Sequence, residues 1–214
     1  PDNTSFEIGA CLGIPAMTAH RCVFADGPVD GQAVLITGGA GRVGYYAIQW
    51  AKAAGATVIA SASSPLDEQV CRGLGADQVF NHREPGWGER VKSLNGGKAV
   101  DRVVDVEFGA NLPELLQCIR VGGTIATYSS TQVPEPRLPF FRMMYLDLTL
   151  HLVIVYSMPE SAKALAIGDI TRFLADGRLQ HRIAHRLPLD QLAQANELIE
   201  RGGVRGCVVV SVGS

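Results

Sequence analysis

A chain of 214 residues can bury a substantial core, as one large domain or as one domain with part of another. With 47% hydrophobic and 19% charged residues and no long polar tract, its composition excludes a disordered chain. The formal charge of -2 and the absence of like-charge runs exclude the electrostatic footprint of a nucleic-acid or anionic-membrane binder, which leaves a small molecule as the expected partner. The first residues, "PDNTSFEIGA", have neither the basic head nor the apolar core of a signal peptide. The most apolar stretch, "LTLHLVIV" at 148–155, is too short to span a bilayer, so the expected location is cytoplasmic.

In chain order, "FEIGACLGIPAMTAHRCVF" reads as a helical lead-in broken at Pro15. A buried strand over 33–37 ("AVLIT") is followed by a helix over 42–55 closed by Gly55, and a second strand over 57–61. The alternation continues with helix 67–74, strand 78–80, a weak helix near 86–94, strand 101–106, helix 111–120, strand 124–128 and strand 148–155. Strands that alternate with helices and are apolar on both faces predict a parallel sheet covered on each side. Helix 161–177 ends at Gly177, after which residues 182–212 read strand, helix, strand, a unit in excess of the six-strand sheet.

At the joint between the first strand and helix, Gly39, Gly41 and Gly44 form GxGxxG in the context that gives the pattern physical meaning. The first glycine is expected to permit a tight turn, the second to let a pyrophosphate approach the backbone, and the third to let helix and strand pack closely. The phosphate would then meet unpaired amides at the positive end of the helix dipole. An NAD-selective site usually places Asp or Glu at the end of the second strand. Ser61, Ala62, Ser63 and Ser64 stand there instead, which favours NADP, although Asp67 and Glu68 follow closely and Arg72 is the nearest cation along that helix. A short-chain dehydrogenase is set aside, because Arg42 replaces the glycine of its TGxxxG turn and no tyrosine has lysine four places on.

The segments "GIPAMTAHRCVF", "VLITGGAGRVGYYAIQWAKAAGATVIA", "GADQVFNHRE" and "LQCIRVGGTIATYSS" together resemble the medium-chain dehydrogenase/reductase superfamily, most nearly its zinc-independent, zeta-crystallin-like quinone oxidoreductase branch. The resemblance covers nearly the whole chain. It implies an α/β Rossmann domain with a doubly wound, parallel six-stranded sheet, joined to a separate N-terminal catalytic domain that is not among these residues. Residues 1–25 would be a helical lead-in, 26–179 the dinucleotide-binding domain, and 180–214 a strand-helix-strand return segment of the catalytic domain. The resemblance also implies cofactor contacts from Ala40, Gly41, Arg42 and Val43 in the turn, and from Ser63, His82 and Asn111 after the second, third and fourth strands. Further contacts would come from Tyr128, Ser129, Ser130 and Thr131 after the fifth strand, and from Val153, Ile154 and Val155 at the sixth. The implied activity is hydride transfer from NADPH to a quinone or activated enone without metal, in a homo-oligomer. Alternatives are a zinc-type alcohol dehydrogenase or enoyl-thioester reductase of the same superfamily, and an inactive nucleotide-binding module. Two departures from the family pattern stand out: Arg42 replaces a glycine, and Cys207 replaces the lysine of a late GK pair.

Other chemistry-bearing residues read as structural. Cys11, Cys22, Cys71, Cys118 and Cys207 form no CxxC pair and read as small buried hydrophobes. His20, His151, His181 and His185 have no ligand partner at metal spacing, so no metal site is expected. Asp101 and Asp105 lie near opposite ends of one strand, which makes Asp105 a strand-end group near the cofactor rather than half of an acid-base pair. No GxSxG elbow supports Ser/His/Asp catalysis, and no catalytic residue is assigned.

Overall fold

The computed structural model describes residues 1–213. All four residues of β1 (Ala33–Ile36) are buried, and they divide between two cores as the strand pleat requires. Val34 and Ile36 pack with Tyr46, Ile48 and Trp50, while Leu35 packs with Leu115 and Ile125 on the opposite face. Two-sided burial is why this strand shows no apolar-polar alternation. The same division holds in β2 (Thr57–Ala62), β4 (Val100–Asp105) and β5 (Ile119–Thr127).

With β3 (Gln78–Asn81) and β6 (Thr149–Leu152), these strands make one six-stranded sheet in the order β3-β2-β1-β4-β5-β6. Every pairing is parallel. One face is covered by α2 (Met17–Phe24), α3 (Arg42–Ala53), α4 (Pro65–Gly73) and α8 (Glu160–Ala175), the other by α5 (Trp87–Leu94) and α6 (Phe108–Cys118). This is the doubly wound α/β architecture expected from the alternating pattern. The strand order reverses between β1 and β4, and that switch point opens a crevice at the carboxyl edge of the sheet.

Four expectations need correction. Pro15 does not break the lead-in: α1 (Phe6–Ala10) passes into a wide π turn over Leu12–Ala16 and then into α2, and the wider turn accommodates the ring and the missing N–H. β5 starts at Ile119 directly after α6, with a register irregularity between Val100 and Arg102 of its neighbour, so the strand begins before 124. β6 ends at Leu152 and gives way to a tight 3-10 turn at Val155–Ser157, so 153–155 are not strand. A short α7 (Phe140–Tyr145), bearing exposed Phe140, Phe141 and Tyr145, lies where no helix was expected.

Residues after Gly177 form β7 (Ile183–Pro188), α9 (Leu192–Glu200) and β8 (Cys207–Ser211). The two strands pair in parallel as a sheet of their own. The segment leading into β7 is held to α3 by polar contacts: Gln180 N–H donates to Gln49 Oε1 at 2.7 Å, Gln49 Nε2 donates to Gln180 O at 3.2 Å, and Tyr46 Oη lies 3.0 Å from His181 Nδ1. No helix among the described residues is long and apolar enough to cross a membrane.

Candidate functional site

The turn from β1 into α3 is held by its own backbone. Gly38 takes φ +64, Gly38 N–H donates to Ser61 Oγ at 2.9 Å, and Gly41 N–H donates to Gly38 O at 2.8 Å. The left-handed residue of the turn is therefore Gly38, just ahead of the motif's first glycine. A Cβ on Gly39 would stand 2.8 Å from Cys71 Sγ and 3.0 Å from Ala60 Cβ, so packing against α4 and β2 makes glycine necessary there. Gly44 behaves as the third glycine of the motif should, since its Cβ would fall 2.2 Å from Gly38 O. Gly41 differs from both, because its Cβ would meet only Gly38 O at 3.0 Å, with the rest of its surroundings open.

That opening is the floor of a cleft of about 780 Å³, walled by the carboxyl ends of β1, β2 and β4 and by the return segment. Ala40, Gly41, Arg42 and Val43 line it. Gly41 caps α3 without a side-chain hydrogen bond and no acidic residue occupies the first turn, so the turn's amides have no side-chain partner there. An uncapped 12-residue helix aimed into a cleft fits an anionic group. Among the described lining residues are three arginines (Arg42, Arg83, Arg205) and one carboxylate, Asp67.

At the end of β2, Ser63 Oγ donates to Asp67 Oδ2 at 3.0 Å, and Arg205 donates from Nε to Asp67 Oδ1 at 3.1 Å and from Nη2 to Ser63 Oγ at 3.3 Å. Burial alone would raise the Asp67 carboxyl, but the Arg205 guanidinium and the Ser63 and Ser64 hydrogen bonds outweigh it and hold the group below its ordinary range. His82 lines the same end, its N–H donating to Ala62 O at 3.4 Å. Its imidazole is lowered first by partial burial and then by neighbouring Arg83, which favours the neutral ring.

The model of the family described as zinc-binding dehydrogenase matches residues 43–170. The chain belongs to the medium-chain dehydrogenase/reductase superfamily. It is 29% identical over 215 residues to the quinone oxidoreductase of Homo sapiens, which covers 98% of this chain and 64% of that protein. Among solved structures, an NAD-dependent alcohol dehydrogenase superposes with a TM-score of 0.88 at 34% identity, over 100% of this chain and 61% of the other. A mycobacterial protein solved in complex with NADPH superposes with a TM-score of 0.87 at 26% identity, over 99% of this chain and 66% of the other. The chain thus spans somewhat less than two thirds of the curated relative's length.

Beyond the cleft, Tyr128 and Ser129 also border a second hollow of about 430 Å³, lined by Ser130, Val153 and Ile154 together with Phe108, Leu138, Leu150 and Leu152. Of the residues expected from the superfamily's sixth strand, Val153 and Ile154 are brought here rather than to the glycine turn. Ser130 accepts from Gly109 N–H at 2.9 Å and donates to Val133 O at 2.6 Å, which commits its hydroxyl to the loop. Thr131 Oγ1 lies 3.1 Å from Ser129 Oγ, while its N–H donates to Glu107. Asn111, Thr131 and Val155 line neither hollow. The Asn111 amide donates to Asp105 Oδ1 at 2.8 Å, and Thr37 Oγ1 donates to the same oxygen at 2.8 Å. Asp105 is fully buried, and burial pushes its carboxyl up despite these donors, so it acts as a knot between β1, β4 and α6.

Asp101 is likewise structural, accepting from Ala33 N–H at 2.8 Å and pairing with Arg120. His20 is paired with Asp169 at 2.8 Å, a partner 149 residues away in sequence. Among the described residues, no three His, Cys, Asp or Glu side chains gather as a metal site. The residue that sequence reasoning missed is Arg205. Arg72, the cation nearest in sequence, is engaged with Glu68 on the exposed side of α4.

Proposed function

We propose that the full-length protein is an NADPH-dependent oxidoreductase that delivers hydride to a quinone or an activated enone by the zinc-independent route. The observation that carries the reading is the cleft at the switch point: an uncapped helix start beside an open Gly41, in a lining that holds three arginines and a single carboxylate. Gly41, Arg42 and Val43 would hold the pyrophosphate, Ser63 and His82 the adenosine end, and Tyr128 and Ser129 the nicotinamide end. When bound, the cofactor supplies the hydride, and the protein's part is to orient the ring and keep water from it. The apolar hollow shared by Tyr128 and Ser129 supports a flat, apolar acceptor beside that ring. The likeness to quinone oxidoreductases supports the same acceptor class.

Self-association belongs to this reading. β6 is an edge strand, and Leu152 at its end is exposed together with Ile154 and Tyr156 in the turn that follows, a surface that a second copy would cover by pairing along the strand. A second reading, an NAD-dependent alcohol dehydrogenase, is favoured by the presence of Asp67 beside Ser63 and by the structural likeness at 34% identity. Oxidation of NADPH and of NADH by the full-length protein, assayed with a quinone, an enone and an alcohol-aldehyde pair and combined with metal analysis, separates the two. NADPH-dependent quinone reduction without bound zinc supports the proposal, and NAD-dependent alcohol oxidation by a zinc-loaded protein refutes it.

A further inference from the structure

We propose that Arg205, carried on the return segment, selects a 2'-phosphorylated dinucleotide, and that Asp67 serves as its retaining counter-ion rather than as a ribose ligand. The proposal rests on reading the cleft as a dinucleotide site and adds the residue that decides which dinucleotide.

The argument starts from an asymmetry of exposure. The Asp67 side chain is 6% exposed and that of Arg205 38%, so a ligand entering beside Ser63 meets the cation first. Both carboxylate oxygens of Asp67 are already engaged, one with Ser63 and the other with Arg205. The backbone of Asp67 is fixed as well, because its N–H donates to the capping hydroxyl of Ser64 at 3.1 Å. To accept from a ribose diol, Asp67 would have to release a guanidinium and remain a nearly buried charge, which is costly. Arg205 is differently placed. A guanidinium has five donors, and only Nε and Nη2 are engaged, so it can receive phosphate oxygens while Asp67 keeps hold of Nε. The Ser63 hydroxyl, now shared between the two, also lines the cleft, and its one proton, turned from Asp67, would give the phosphate a third contact.

Topology gives the pair a second consequence. Arg205 lies in the loop between α9 and β8, within the unit that has a sheet of its own, whereas Ser63 and Asp67 belong to the six-stranded domain. A phosphate gripped by Arg205 and Ser63 therefore ties the two units together, and binding at the adenosine end should slow exchange in β8.

Calorimetric titration of the chain with 2',5'-ADP and with ordinary ADP tests this without reference to turnover. The wild type should prefer 2',5'-ADP by at least about tenfold, and Arg205→Ala should lose about 10- to 100-fold for 2',5'-ADP while ADP changes little. Arg205→Lys should retain part of the preference, having the charge but not the fork. Because Arg205→Ala orphans Asp67, the double variant Arg205→Ala/Asp67→Asn removes the stranded charge and should show the same selective loss in a soundly folded chain. Hydrogen exchange should show 2',5'-ADP protecting β8 in the wild type and not in Arg205→Ala. Equal weakening of both nucleotides, or an unchanged preference in both variants, overturns the proposal while leaving the dinucleotide site intact. A wild type that binds neither nucleotide overturns the site itself.

Discussion

Gly41 and Gly44 stand three residues apart in one motif, yet the structure assigns them opposite consequences on substitution. Gly41 has φ -74 and ψ 171, open to any L-residue, and a Cβ there would meet only Gly38 O at 3.0 Å. That slightly tight contact is offset by about 0.4–1 kcal/mol from restricting the unfolded chain. Gly41→Val should therefore change folding stability by no more than about 1 kcal/mol, or about 2–4 °C in Tm for a chain of this size. Its two methyl groups would project into the cleft where we propose the pyrophosphate binds, and NADPH affinity should fall by more than about 100-fold, roughly 2.7 kcal/mol. Gly44→Ala puts its Cβ 2.2 Å from Gly38 O and 2.9 Å from Gly39 Cα, both backbone atoms, so no side chain can yield. It should cost about 3 kcal/mol, near 10 °C in Tm. Thermal melts by circular dichroism, paired with NADPH titration followed by tryptophan fluorescence, read both quantities. Normal NADPH binding by Gly41→Val, or an unshifted melt for Gly44→Ala, would refute the reasoning.

Ser63→Asp should move the cofactor preference toward NADH by at least about tenfold, since the new carboxylate repels a 2'-phosphate and accepts from a ribose hydroxyl; parallel NADPH and NADH titrations check it, and an unchanged ratio counts against the placement of Ser63. Burial outweighs Asp169 and lowers His20 below its usual 6.5, so the folded chain resists protonation more than the unfolded one. Stability should accordingly be full above about pH 6.5 and decline as pH falls through that value toward the folded pKa. Urea unfolding over this range should give a shallower decline for His20→Gln, and an identical slope would exclude His20 as a source. At the sheet edge, Ile154→Lys should convert a dimer to a monomer in light scattering, whereas a monomeric wild type at micromolar concentration would remove the self-association reading.

The parts of the fold that were legible are those fixed by local chemistry. The apolar run at 33–36 can only be a strand buried on both faces, and the glycine cluster after it can only be a close turn, because both constraints lie within a few neighbouring residues. Even there, the left-handed backbone falls on Gly38, which lies outside the GxGxxG pattern, while Gly39 is required by the packing of Cys71 and Ala60. Pro15 misled because a proline reads as a break unless a widened turn is available, and that widening leaves no mark in composition. Arg205 was illegible for a plainer reason: it reaches Asp67 across 138 residues through the docking of a separate sheet. The cation nearest to Ser63 along the chain, Arg72, is spent on Glu68 and gives no pointer to Arg205. Asn111 shows the converse, for its position follows the family pattern while its amide is committed to the buried Asp105.

The central claim, that the cleft at the switch point holds a dinucleotide, is tested most directly by a crystal structure of the chain grown with NADPH. The account predicts the pyrophosphate against the backbone of Gly41, Arg42 and Val43, and the adenosine 2'-phosphate within hydrogen-bonding distance of Ser63 and Arg205. A dinucleotide bound elsewhere on the chain, with this cleft left to solvent, would contradict it.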